Sequence, residues 1–163
     1  MKAPLSLEAQ GRVVHHAMLA ASESGAFDAQ AATAVSRRMA ELQDGVTGGK
    51  WQDLAPACRA AYPQVAKTEV ELPAGRLDAQ LVCAELADFL LTALAEQVQD
   101  YAADLSEYRR LRLALNDALG PGLRARTGAA RDAQQAEKRK ALAAASGLGS
   151  PVAVMKACSK RFA

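Results

Sequence analysis

The chain has 163 residues, 50% of them hydrophobic but only 4% aromatic, with a formal net charge of +2. A chain of this length can bury roughly 68–70% of its unfolded surface, so it needs neither a metal nor a disulfide merely to fold. It contains no run of about 18 apolar residues, so no transmembrane segment is expected. Alanine occurs 38 times. Alanine is the strongest helix former, and β-branched and aromatic residues are scarce, so composition alone predicts helices.

Ser6 is placed to cap a first helix carrying Leu7, Val13 or Val14, Met18 and Ala21 near the 3.6-residue period, with Ser24-Gly25 as its stop. Asp28 can cap a second helix through Ala32, Val35, Met39 and Leu42 to Gly45. A loop with Thr47, Gly48 and Gly49 leads to a short helix through Trp51, Leu54, Ala55 and Cys58, which Pro63 should end near Ala61.

Between Val65 and Gly75 the alternation of Val70 and Leu72 with Glu69 and Glu71 resembles a strand that has no partner, so residues 65–75 read as an extended connector across a bundle. The strongest periodic segment follows, running from Leu77 through Leu86, Leu94, Tyr101 and Leu111 to Leu115. It predicts one long helix or two nearly collinear ones, ended by Gly120-Pro121-Gly122. A further helix is expected from about Leu123 to Ser146, broken by Gly147 and Gly149, and Ser150-Pro151 should start a last one with Val154, Met155, Cys158 and Phe162. The fold class is therefore all-α: one domain over residues 1–163, a bundle of five to seven helices around a central helix or helix pair.

Several motifs fail on their own chemistry. Gly45-Val46-Thr47-Gly48-Gly49-Lys50-Trp51 imitates a phosphate loop, but three residues rather than four separate Gly45 from Gly49, and Trp51 replaces the magnesium-binding Ser or Thr. Glu96, Asp100 and Asp104 share a helix face, yet no histidine accompanies them as di-iron bundles require, so solvated charge is the reading. His15 and His16 are adjacent on a helix and diverge by about 100°, too far for both to bind one metal. No metal and no cofactor is expected.

Cys58, Cys83 and Cys158 form no CxxC motif. Each has apolar helical neighbours, so buried thiols are the simplest reading. If one disulfide forms, the expected pair is Cys58 with Cys158, implying an oxidising compartment. Polar Ser6, Glu8 and Gln10 follow Met1-Lys2-Ala3-Pro4, unlike the apolar core of a signal peptide. Localisation is cytoplasmic if Met1 is the native start, and periplasmic or secreted if a signal was removed and a disulfide forms.

Charge is unevenly placed. Residues 1–107 hold 8 Lys or Arg against 15 Asp or Glu, a net of −7, whereas residues 108–163 hold 12 against 3, a net of +9. Arg109, Arg112, Arg124, Arg126, Arg131, Lys138 and Arg139 form the candidate interaction surface, and Trp51, most simply a core residue under its loop, would be its hot-spot anchor in the rival reading. The simpler reading is that an acidic stripe on the neighbouring helix neutralises them. Too little acid, base and nucleophile is present to suggest an enzyme. The expected function is a non-catalytic helical scaffold or interaction module, with a protein partner or a second copy of itself. Alternatives are non-specific nucleic-acid binding through residues 108–163, and carriage of a small apolar ligand between Ala-lined helices.

Overall fold

The computed structural model describes residues 4–45, 56–57, 60–67 and 69–163. Trp51, Cys58 and the glycine-rich stretch 46–50 lie outside the described residues. Those described form six helices: α1 (Leu7–Ala21), α2 (Ala29–Gly45), α3 (Arg76–Ala93), α4 (Ala102–Thr127), α5 (Arg131–Leu148) and α6 (Pro151–Phe162). Residues 56–57 and 60–61 are also helical, and no strand occurs among the described residues. The fold is the expected all-α bundle.

The caps follow the sequence. The Ser6 side chain accepts a hydrogen bond from the Ala9 amide at 3.2 Å. Asp28 Oδ1 accepts from the amides of Gln30 and Ala31 at 2.9 and 3.1 Å, so orphan donors at the first turn of α2 are satisfied. Gly25 provides the positive φ of 85° that turns the chain between α1 and α2.

Helix α3 is the centre of the bundle. Leu81, Val82, Cys83, Ala84, Leu86, Ala87 and Leu90 are all buried and take up most of its circumference, leaving one side with Glu85, Asp88 and Thr92. A helix with so broad an apolar face must be covered by several neighbours. Here α4, α5 and α6 all pack against it.

The covering by α4 corrects the expectation of a long or collinear helix over 77–119. The chain stops being α-helical at Leu94, makes a 3-10 turn at Ala95–Gln97 and folds back, so α3 and α4 form an antiparallel hairpin. Arg126 meets Asp78 at 2.6 Å and Arg112 meets Asp88 at 2.8 Å. A continuous helix would hold Asp78 and Arg126 about 70 Å apart. The physical reason is burial: Leu105, Leu111, Leu115 and Leu119 can seal α3 only from alongside it. Tyr101 anchors the turn by donating its hydroxyl to the Leu5 carbonyl at 2.7 Å.

Gly120-Pro121-Gly122 does not end the helix either. α4 runs through all three to Thr127 and stops at Gly128, whose φ is 70°. Leu123, expected to open the next helix, continues the buried row of Leu115 and Leu119. The four-residue leucine spacing outweighs the local breaker. Gly122 also lets Leu77 approach closely, since a Cβ there would sit 3.1 Å from Leu77 Cδ1.

A disulfide joins Cys83 of α3 to Cys158 of α6. This corrects both the buried-thiol reading and the expected Cys58–Cys158 pair. The hairpin brings α3 against α6, with Cys83 facing Cys158. A 3-10 turn occupies Pro63–Ala66, and the segment 69–75 forms neither helix nor strand. Arg161 ties it down by donating to the carbonyls of Pro73 and Ala74 at 2.7 and 3.2 Å. Val70 and Leu72 rest partly buried on the core.

Candidate functional site

A groove of about 1110 Å³ opens between α1, α2 and α3, with Leu142 of α5 among its lining residues. It exists because α2 packs chiefly on α1 and leaves the facing side of α3 uncovered. Ala17, Ala32, Phe27 and Leu142 are buried where they line it, whereas Val13 is 39% exposed and Leu5 53% exposed. Among the described residues only Leu113, at 61%, is another large exposed hydrophobic, and it lies on α4 away from this groove.

Phe27 is held by its own backbone. Its amide donates to the Arg139 carbonyl at 3.1 Å, and the next amide, Asp28, donates to Ala21 at 3.0 Å. The ring meets Phe89 of α3 edge-on, with centroids 5.2 Å apart and planes at 75°. This pair bridges the two sides of the groove and is a favourable aromatic geometry.

Four polar residues of the lining, Thr33, Glu85, Asp88 and Thr92, are engaged within the chain. Arg112 binds Asp88 in bidentate fashion, Nε to Oδ1 and Nη2 to Oδ2, each at 2.8 Å. Its hydrogen bonds to Asp88 hold the guanidinium above its ordinary pKa. Lys138 Nζ lies 3.8 Å from Glu85 Oε1. Burial raises the Glu85 pKa, Lys138 opposes the shift, and Asp88 adds to it. Thr33 and Thr92 return their hydroxyls to backbone carbonyls of Ala29 and Asp88.

The basic residues singled out from sequence do not converge. Arg112 and Lys138 turn toward acids of α3, and Arg126 binds both Asp78 and Glu137. Arg109, Arg124, Arg131 and Arg139 are exposed and make no ion pair among the described residues. Arg109 and Arg124, both on α4, are separated by about 22 Å of helix. Tyr108 is buried and Phe162 lies under Arg161 at 5.4 Å, so neither presents a free face for stacking a base.

His15 and His16 also separate. His15 is fully buried and its Nε2 lies 2.6 Å from the Ser146 carbonyl, so Nε2 carries the proton and donates. Burial lowers its pKa. His16 Nδ1 lies 2.8 Å from the Arg12 carbonyl. No cluster of metal-ligating side chains occurs among the described residues.

Sequence reading did not find the groove, although one signal was present. Val13 and Val14 are both apolar, which makes the apolar face of α1 wider than contact with the core requires. No protein-family model matches the chain, and no curated protein or solved structure is significantly similar to it.

Proposed function

We propose that the chain is a non-catalytic interaction module whose working surface is the groove between α1, α2 and α3, and that this groove accepts the apolar face of a partner's helix. The reading rests on a combination of size and openness. At about 1110 Å³ the groove exceeds the roughly 300–1000 Å³ usual for small-molecule sites, and it opens to solvent past Leu5 and Val13. Its long walls are helices, the geometry in which amphipathic helices dock through side chains spaced at i, i+3, i+4 and i+7. Glu85 and Asp88 already have cationic partners, so the occupant need not bring charge.

A second reading, carriage of a small apolar ligand, draws on the Phe27–Phe89 pair and the buried alanines of the lining. The nucleic-acid alternative has less support, because five of the twelve Lys and Arg residues of 108–163, namely Arg112, Arg126, Lys138, Lys140 and Lys156, are paired with acids.

Crosslinked capture from the native organism tests the reading, using wild type, Val13→Asp in the groove and Leu113→Asp outside it. One nuclease-resistant protein captured by wild type and Leu113→Asp, and lost with Val13→Asp, supports the module. Capture indifferent to Val13→Asp overturns it. A non-protein ligand seen by native mass spectrometry, and lost with the same variant, selects the carrier instead. Nuclease-sensitive capture selects nucleic acid.

A further inference from the structure

The hairpin of α1 and α2 is one wall of the groove, and α3 with Leu142 of α5 is the other. Because α2 packs chiefly on α1, it is α1 that attaches this hairpin to the body of the bundle, through α5 and α6. The chain is fastened just before α1, where Tyr101 donates to the Leu5 carbonyl, and just after it, where the Phe27 amide donates to the Arg139 carbonyl. Midway between these points, His15 joins α1 to α5.

His15 is fully buried, and its sequence neighbours Val13, Val14 and Ala17 line the groove. Its ring turns onto the last turn of α5, where Nε2 lies 2.6 Å from the Ser146 carbonyl. The other ring nitrogen, Nδ1, is buried and has no hydrogen-bond partner among the described residues. In the neutral ring Nδ1 is only an unused acceptor. A second proton makes it a donor and charges the ring, and a buried charge without a partner is costly.

No acid is placed to receive that charge among the described side chains. On α1 itself, Glu8 is about two turns away and lies 3.8 Å from Lys156 of α6, while Arg12 and His16 are bases. Helix α5 has no titratable side chain from Ala141 to Leu148, and α6 has none before Lys156. On α2, Asp28 accepts from the amides of Gln30 and Ala31, and Arg37 and Arg38 are cations. Beside the 3-10 turn that packs on α1 stand Lys67 and Tyr62; Tyr62 donates to Glu23 and meets the His16 ring edge-on at 6.2 Å. Across the groove, Glu85 and Asp88 are paired with Lys138 and Arg112. Of these groups His16 acts on the His15 ring, and it opposes a second proton. The Ser146 carbonyl favours the charged ring, but burial outweighs it.

We propose that His15 is an acid-operated latch: when its ring takes up a second proton, α1 leaves α5, the hairpin of α1 and α2 swings outward, and the groove loses a wall and releases its occupant. The proposal rests on the groove as the working surface. Burial holds the His15 pKa below the ordinary 6.5, so the latch is closed at neutral pH and opens in acid.

Amide hydrogen exchange of the full chain at pH 7.5 and pH 5.0, corrected for the intrinsic rate, tests the movement. Protection of residues 7–21 and 141–148 should fall at least about tenfold at pH 5.0, the effect of one pH unit of single-proton linkage. Protection of α3 and α4 should stay within about twofold. His15→Gln keeps a donor for Ser146 but cannot charge, so its protection should be the same at both pH values. The ring-nitrogen shifts of wild-type His15 need no variant, and their titration midpoint should coincide with the loss of protection. Unchanged protection in wild type, equal loss in every helix, or midpoints that differ overturn the latch. The groove is read separately, with a photocrosslinking residue at Val13 in extracts of the native organism held at each pH. Its adduct should fall about tenfold at pH 5.0 in wild type and persist in His15→Gln. A wild-type adduct that persists at pH 5.0 overturns the latch and leaves the groove standing. No adduct at either pH, with protection still lost in acid, removes the groove and supports the latch as a movement of the hairpin.

Discussion

Cys83 and Cys158 hold α3 and α6 together across a sequence separation of 75 residues, with their Cα atoms 5.7 Å apart and both side chains fully buried. The central helix is thereby fastened to the last helix of the chain. Closing a loop of this length removes chain entropy worth about 4 kcal/mol from the unfolded state. Replacing both cysteines by alanine should therefore lower the melting temperature by about 10 °C. Peptide mapping without reductant should return the Cys83 and Cys158 peptides linked and Cys58 open to alkylation. Linkage through Cys58 would contradict the packing of α3 on α6.

Gly11 of α1 lies directly against Val152 of α6. A Cβ at this position would fall 2.7 Å from Val152 Cγ2, inside any tolerable contact. Valine is stiff at χ1 and cannot swing aside cheaply. Gly11→Ala should cost about 1–3 kcal/mol despite the better helix propensity of alanine, measured by denaturant unfolding. A stabilised variant would mean that the two helices stand farther apart.

Pro121 gives the opposite expectation. It is exposed within α4 and can donate no hydrogen bond to the preceding turn. Because α4 is continuous through this point, Pro121→Ala should raise stability by about 1–3 kcal/mol. A loss of stability would indicate a turn at Gly120-Pro121-Gly122 in place of a helix.

The pH dependence has a defined sign at His15. Burial lowers its pKa below the ordinary 6.5, so the unfolded chain binds a proton more readily than the folded one. Its effect on stability is constant above pH 6.5 and becomes unfavourable as the pH falls below that value, by at most about 1.4 kcal/mol per pH unit. Glu85 acts oppositely: its pKa is raised above 4.5, so its contribution grows as the pH falls toward that value. Comparing wild type with His15→Gln isolates the histidine. The difference between the two stability curves should narrow as the pH drops from 6.5, and a constant difference would contradict the buried neutral ring.

Much of the fold could be read from short-range pattern. Ser6 and Asp28 cap as their positions suggest, and the leucine rows of α3 and α4 reach the core. The hairpin turn was hidden because 94–101 contains neither glycine nor proline, and Leu94, Val98 and Tyr101 keep the helical period across it. The reverse error arose at Pro121, where a strong local breaker lies inside a row of leucines spaced by four. Both decisions belong to tertiary burial, which spacing alone does not encode. The disulfide partner of Cys158 depends on that same hairpin. The groove was the least legible feature, because it is a gap left between α2 and α3 rather than a property of any one segment.

The groove between α1, α2 and α3 is the centre of this account, and a photocrosslinking amino acid placed at Val13, with Leu113 as the matched control, tests it most directly. In cells of the native organism the Val13 probe should form a discrete adduct with one protein, mapped to an apolar helix face of that partner, and the Leu113 probe should not. Identical adduct patterns from both positions, or none from Val13 while the protein remains folded, would contradict the groove as the working surface.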